Sequence, residues 1–300
     1  MKKILIAGGT GFIGQVLESF FINNGHHVKI LSRNPKRENE IYWNAKDLND
    51  SWVSELEHLD VLINLTGKNI NCRFTDKNKQ LITNSRVDST LALGKAINLC
   101  ANPPKVWMNS STTSIYEESF DTEMTEDNNK LGHDFENEVA TLWEAAFYKH
   151  ENPKTRKIIV RTSLVLGQED GAFVPLKKLA QFGMGGKSGS GKQVVSWMHK
   201  EDFARAIGFL IENKNAKGPF NFCAPHPITN TVLMQTFRNA IGIPFGIPSP
   251  KFILEIGAFF MQTESDLILK SRNVIPKNLL NMGFKFKYDT IETALKDLVD

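Results

Sequence analysis

The stretch Gly8-Gly9-Thr10-Gly11-Phe12-Ile13-Gly14 constrains the fold more than any other part of this chain. It follows at once on KILIA (residues 3–7), a short apolar run of the kind buried on both faces of a parallel sheet. Beyond the glycines, Phe12, Ile13, Val16, Leu17, Phe20 and Phe21 recur at helical spacing, and Gly25 stands where a helix should stop. Both Gly9-x-Gly11-x-x-Gly14 and Gly8-x-x-Gly11-x-x-Gly14 are satisfied. Between a buried strand and a helix, such glycines permit a tight turn and a close backbone approach to pyrophosphate. The helix N-terminus adds unpaired N–H groups and partial positive charge. Gly8, Thr10, Gly11, Phe12, Ile13 and Gly14 are therefore expected to hold a dinucleotide.

The alternation continues. Strand patterns fall at 27–31, 61–65 and 105–109 and within KIIVRTSLVLG (157–167), with helical patterns over about 76–100 and 135–149. This rhythm predicts an α/β fold, a Rossmann-like doubly wound parallel sheet with right-handed crossovers. It breaks after residue 167, where GMGGKSGSGKQ (183–193) and five scattered prolines, Pro225 to Pro250, take over. The expected organisation is a Rossmann domain over 1–167 and a smaller α+β substrate-binding part over 168–300, with 195–212 returning to the first domain. The glycine-rich segment is either a mobile loop closing over the cleft or a flexible connection.

The end of the second strand normally selects the dinucleotide. A carboxylate there accepts from the ribose 2′-hydroxyl of NAD, whereas an arginine accommodates the 2′-phosphate of NADP. Here the chain reads Ser32-Arg33-Asn34-Pro35-Lys36-Arg37, without Asp or Glu. NADP(H) is the expected cofactor, with Arg33 discriminating and Ser32 and Lys36 beside it. Leu65, Thr66 and Gly67 follow the third strand, where a cofactor's adenine and ribose run past.

Composition narrows the partners. A net charge of +3 over 300 residues is too mild for a nucleic-acid binder. No apolar run reaches the ~20 residues of a membrane span. Cys72, Cys100 and Cys223 form no CxxC pair, and the seven histidines show no ligand spacing, so neither a disulfide framework nor a metal is expected. The reading is a soluble cytoplasmic protein acting on a small molecule.

These residues resemble the short-chain dehydrogenase/reductase superfamily, extended branch. Within it they resemble the NAD-dependent epimerase/dehydratase-family proteins with an epimerase-family C-terminal domain. The resemblance spans essentially the whole chain, through GGTGFIG, NSRVDST (84–90), SSTTSIY (110–116), RTSLVLG (161–167), GSGKQVVSWMHKEDFARAI (189–207) and PKNLLNMGFKFKYDTIETALKDLV (276–299). It implies hydride transfer helped by a tyrosine phenol, a lysine four residues later that lowers the phenol pKa from ~10, and a Ser or Thr on the same substrate oxygen. Ser111 or Thr112 supplies that hydroxyl, and Arg161 is assigned to the cofactor.

The Tyr-x-x-x-Lys pair itself is replaced: Phe135 and Val139 stand at its positions. Tyr42 does precede Lys46 at that spacing, but between strands and away from a nicotinamide. Tyr116 is a candidate substitute acid. His199 is either a proton shuttle or a structural histidine, with Asp202 capping the next helix. Glu138 and Glu144 read as a solvated helix face or, if buried, as a base. Arg86 meets either an anionic substrate or an acid of the fold. The resemblance also allows a homodimer through helices such as the one holding LWEAAF (142–147). Two functions follow: an NADP(H)-dependent oxidoreductase or nucleotide-sugar epimerase acting on a small carbonyl or sugar-like compound, or a non-catalytic NADPH-binding redox sensor or scaffold.

Overall fold

In the computed structural model, which describes residues 1–300 apart from 129, 172, 261, 263 and 300, the apolar runs become strands and the periodic runs helices. The first half contains β1 (Lys3–Ala7), α1 (Phe12–Asn23), β2 (His27–Ser32), β3 (Glu40–Tyr42), α2 (Asp50–Val53), β4 (Val61–Asn64), α3 (Asp76–Leu99), β5 (Val106–Thr112) and α4 (Phe135–Tyr148). Then come β6 (Arg156–Thr162), β7 (Leu164–Leu166), α5 (Phe173–Gln181), β8 (Val194–Val195), β9 (Trp197–His199), α6 (Lys200–Glu212), β10 (Gly218–Phe222) and β11 (Ile228–Thr229). The chain closes with α7 (Asn230–Ala240), α8 (Lys251–Phe260), α9 (Asp266–Leu269), α10 (Lys277–Asn281) and α11 (Ile291–Val299).

Seven strands form one parallel sheet in the order β10-β6-β5-β4-β1-β2-β3. The period-two alternation of β1 explains its double burial. Ile4 and Ile6 face Leu17 and Phe21 of α1 and Phe203 and Ile207 of α6. Leu5 and Ala7 face the opposite layer, where Leu93, Ala96 and Ile97 of α3 and Phe147 of α4 pack. Neighbouring helices thus cover both faces, and every parallel strand ends at one edge, where ligands bind in such sheets.

Two strands of the seven-stranded sheet escape the pattern reading. β3 is only three residues, EIY, and stands at the sheet edge against β2. β10 lies beyond the break at 167, yet it extends the sheet beside β6, from Gly218↔Ile158 to Phe222↔Thr162. A separate cluster, including Phe173, Trp197, Phe237, Ile291 and Leu295, holds the C-terminal helices together. The glycine-rich segment is latched: Ile247 N donates to Gly183 O (2.8 Å), Ser249 N to Lys187 O (3.0 Å) and Gly189 N to Ser249 O (2.8 Å). Among the described residues, no helix is long and apolar enough to cross a membrane.

Candidate functional site

The glycine loop leaves β1 at Gly8, whose φ of +73° favours glycine and whose missing Cβ would lie 2.9 Å from Thr66 Cα. At Gly14 a Cβ would meet the carbonyl oxygen of Gly9 at 2.2 Å, so the first turn of α1 folds tightly back on the loop. Gly11 differs from both: a Cβ there meets nothing within 4 Å, because the position faces open space at the head of α1. No side chain caps that helix, and no acid lies in its first turn. Its leading N–H groups are left for an outside acceptor.

That acceptor space is a cleft of about 1220 Å³ along the strand ends. Of the residues expected to bind the dinucleotide, Gly8, Thr10, Gly11, Ser32, Arg33, Lys36, Leu65, Thr66 and Gly67 line it. Phe12 and Ile13 lie behind the loop. The Phe12 ring would touch a Cβ on Gly167, and Ile13 packs against the core. Gly14 acts through the turn described above.

Arg33 and Arg37 look alike in sequence but sit differently. Arg37 is engaged by Glu40 (2.6 Å) and Glu18 (2.9 Å), which fixes the loop after β2. Arg33 and Lys36 are exposed and have no ion-pair partner among the described residues. A phosphate at the end of β2 would meet two uncommitted cations and no carboxylate at the Ser32 position. On the other wall, Thr66 Oγ1 is buried without a hydrogen-bond partner, an orphaned hydroxyl that a ribose or phosphate oxygen would satisfy. The residues present therefore fit a 2′-phosphorylated dinucleotide.

Beyond the cleft, the strand ends are tied by buried polar contacts. Asn64 Nδ2 donates to Asn109 Oδ1 (2.7 Å) and Thr90 Oγ1 (3.1 Å), and Trp143 Nε1 donates to the same threonine (3.0 Å). Ser111 Oγ donates to Glu144 Oε1 at 2.7 Å. Arg161 grips both oxygens of that carboxylate, Nε to Oε1 at 2.9 Å and Nη2 to Oε2 at 2.8 Å. Through Nη1 it also reaches the Tyr116 hydroxyl (2.8 Å), which in turn donates to Asn221 Oδ1 (2.9 Å). Asn221 N donates to Glu126 Oε1 (2.8 Å), whose carboxyl is held above the usual carboxylate range by burial.

This network reassigns several residues. Glu144 is buried and paired, not part of a solvated face, whereas Glu138, six residues earlier on another face of α4, is exposed. Tyr116 is fully buried, and burial pushes its phenol up to about 12 despite the neighbouring guanidinium, so it holds its proton at neutral pH. Arg161 lies in the same layer as Tyr116 rather than on the cleft lining. Thr112 is different: half-buried at the end of β5, its Oγ1 accepts from Ser114 N (3.1 Å), and its own proton has no acceptor among the described residues. At the positions of the replaced pair, Phe135 packs edge-on to Phe74 (4.9 Å between centroids) and Val139 is buried.

His199 lies elsewhere. It caps α6 by accepting from Glu201 N (3.1 Å), and its ring stacks on Tyr288 at 3.9 Å. Asp202, expected at the cap, is instead fully buried and receives the N–H groups of Lys287 and Tyr288. His199 Nε2 stands 3.2 Å from Asp297 Oδ2 without hydrogen-bond geometry, and burial holds the imidazole below its usual pKa. Because the folded state prefers neutral His199, its contribution is complete above the ordinary histidine value and is lost as pH falls below it. Replacement by asparagine keeps a capping oxygen and removes the titration. The loss of unfolding free energy between pH 7 and pH 5 should be smaller in His199→Asn than in the wild-type protein. Urea unfolding at the two pH values measures it, and an unchanged loss contradicts the assignment.

Among the described residues no group of three or more His, Cys, Asp or Glu could hold a metal ion. The profile of the NAD dependent epimerase/dehydratase family matches residues 4–223. The chain belongs to that family. A domain of unknown function, DUF1731, matches residues 249–298. The epimerase family protein YfhF of Bacillus subtilis is 36% identical over 300 residues, 99% of this chain and 98% of YfhF. The epimerase family protein SH2119 of Staphylococcus haemolyticus is 34% identical over 305 residues, covering both chains fully. Among solved structures, human epimerase family protein SDR39U1 (isoform 2) with NADPH matches at 32% identity and a TM-score of 0.90, over 99% of each chain.

Proposed function

We propose that this chain binds NADP(H) and serves as an oxidoreductase or epimerase for a small carbonyl or sugar-like compound. The observation that carries the reading is the cleft beside the glycine loop, where Arg33 and Lys36 stand unpaired at the end of β2 and the head of α1 is uncapped. The human relative's structure with NADPH supports the same cofactor. Arg33, Lys36 and Ser32 would hold the 2′-phosphate. The N–H groups at Gly11 and the following turn would hold the pyrophosphate, and Thr66 and Gly67 a ribose. When bound, the reduced nicotinamide supplies a hydride to a carbonyl carbon.

The chain's own contribution to that chemistry is positioning. Thr112 has a free hydroxyl at the end of β5 and would hydrogen-bond the substrate oxygen without giving up its proton. Ser111 and Tyr116, committed to Glu144, Arg161 and Asn221, would hold that strand end rigid. With Phe135 and Val139 in place of the pair, the proton comes from water. Losing a general acid costs ~10²–10⁴-fold in rate, which proximity partly offsets.

A second reading is favoured by the same residues. Phe135 against Phe74, and a Tyr116 that keeps its proton, suit a protein that binds NADPH as a redox sensor or scaffold without turning it over. The test saturates the protein with NADPH and follows nicotinamide absorbance while a panel of carbonyl metabolites is added. Consumption with one carbonyl class is expected, and Thr112→Val should slow it at least ~10-fold. Tight NADPH binding with no consumption by any member contradicts the enzyme reading in favour of the sensor.

A further inference from the structure

Arg86 on α3 is a cation that the fold does not neutralise. Its Nη1 donates to the backbone carbonyls of Lys68 and Ile82, both at 3.0 Å, and its guanidinium lies over the Trp143 ring at 5.1 Å. Nε and Nη2 have no protein partner, and no carboxylate comes within 4.0 Å of the group, among the described residues. Glu144 is committed to Arg161 (2.8 Å), and Asp88, further along α3, faces the cleft with its carboxylate 4.0 Å from Lys46. Burial lowers the Arg86 pKa to about 10, still far above neutral pH, so the charge stays. A cation in a desolvated place costs stability, and two carbonyls and an aromatic face offset that cost without neutralising the charge.

Its place gives the charge a purpose. Gly67 leaves room for it: a Cβ there would lie 3.0 Å from Arg86 Cζ. Gly67, Lys68 and Ser85 around it all line the cleft, and Lys68 has no ion pair of its own among the described residues. In the sheet order, β4, which leads to Gly67, lies on the opposite side of β1 from β2, which leads to Arg33. The two groups of free cations therefore flank the glycine loop. One meets the 2′-phosphate end of a dinucleotide; the other stands on the β4 wall of the same cleft, with Arg86 directly behind Gly67.

We propose that Arg86, with Lys68, receives an oxyanion of the substrate, a carboxylate or phosphate, at the β4 side of the cleft. The inference rests on the NADP(H) reading and deepens it: the substrate is an anionic carbonyl or sugar-like compound. A guanidinium with Nε and Nη2 free offers two parallel donors, the geometry that suits a carboxylate or phosphate.

The test titrates NADPH-saturated protein with malonate and, separately, inorganic phosphate at constant ionic strength, by calorimetry. The wild-type protein should bind at least one of them. Arg86→Gln should weaken that binding about 10–100-fold, the loss expected for a charge-assisted bond, while NADPH affinity stays within about threefold. Because the glutamine also loses the contacts to Lys68 and Ile82, Arg86→Lys serves as a second variant. It keeps the charge without the planar fork and should bind between the other two. Equal binding in all three proteins, or none in the wild type, overturns the proposal and leaves the cofactor reading standing. A parallel loss of NADPH affinity in Arg86→Gln also overturns it, since Arg86 then serves the dinucleotide's own pyrophosphate. Wild-type protein that binds no NADPH overturns both.

Discussion

Replacing Glu144 by alanine is expected to lower the unfolding free energy by about 3–5 kcal/mol, the cost of stranding one partner of a buried ion pair. The Arg161 guanidinium would keep only the Tyr116 oxygen, and Ser111 would lose its acceptor. Both partners are almost wholly removed from water, so solvent cannot replace the lost carboxylate. Thermal unfolding should fall by roughly 6–15 °C for a domain of this size. Removing both charges with Glu144→Met and Arg161→Met should recover most of the loss, because a well-packed apolar pair avoids desolvation. A single variant that unfolds like the wild type would show that the pair contributes nothing to the β5–β6–α4 junction.

The second large effect concerns cofactor choice. Arg33→Ala combined with Lys36→Ala should weaken NADPH binding about 10²–10⁴-fold, at ~1.5–3 kcal/mol for each of two charge-assisted bonds to phosphate. NADH, which has no 2′-phosphate, should lose little. Arg37→Ala is the informative control. Its guanidinium is spent on Glu18 and Glu40, so its removal should loosen the loop without the same selectivity. Fluorescence titration of both nucleotides against the three proteins separates these outcomes. Equal losses for NADPH and NADH in the double variant would contradict a phosphate role.

Much of the fold is legible because its signals are local. GGTGFIG sits between an unbroken apolar run and a 3.6-period run, and each pattern marks its element without help from the rest of the chain. β3 escapes because three residues carry no period, and its register comes from pairing with β2. The residues that line the cleft are legible for the same reason as the loop: they follow strand ends at predictable places. Pairing is not. Arg33 and Arg37 differ only in which acids the folded loop brings near, and Glu18 comes from a separate helix. Glu144 reads as one more surface glutamate until β6 places Arg161 against it. Arg86 is the converse case. Its sequence context allows an acid partner or an anionic ligand, and the fold leaves that guanidinium with two carbonyls and an aromatic face.

The central claim is that the cleft beside Gly11 is built for a 2′-phosphorylated dinucleotide, and calorimetric titration of the purified wild-type protein with NADPH and with NADH tests it most directly. NADPH should bind at least about tenfold tighter than NADH, a difference of ~1.4 kcal/mol or more. Equal affinities, or no binding of either nucleotide, would contradict it.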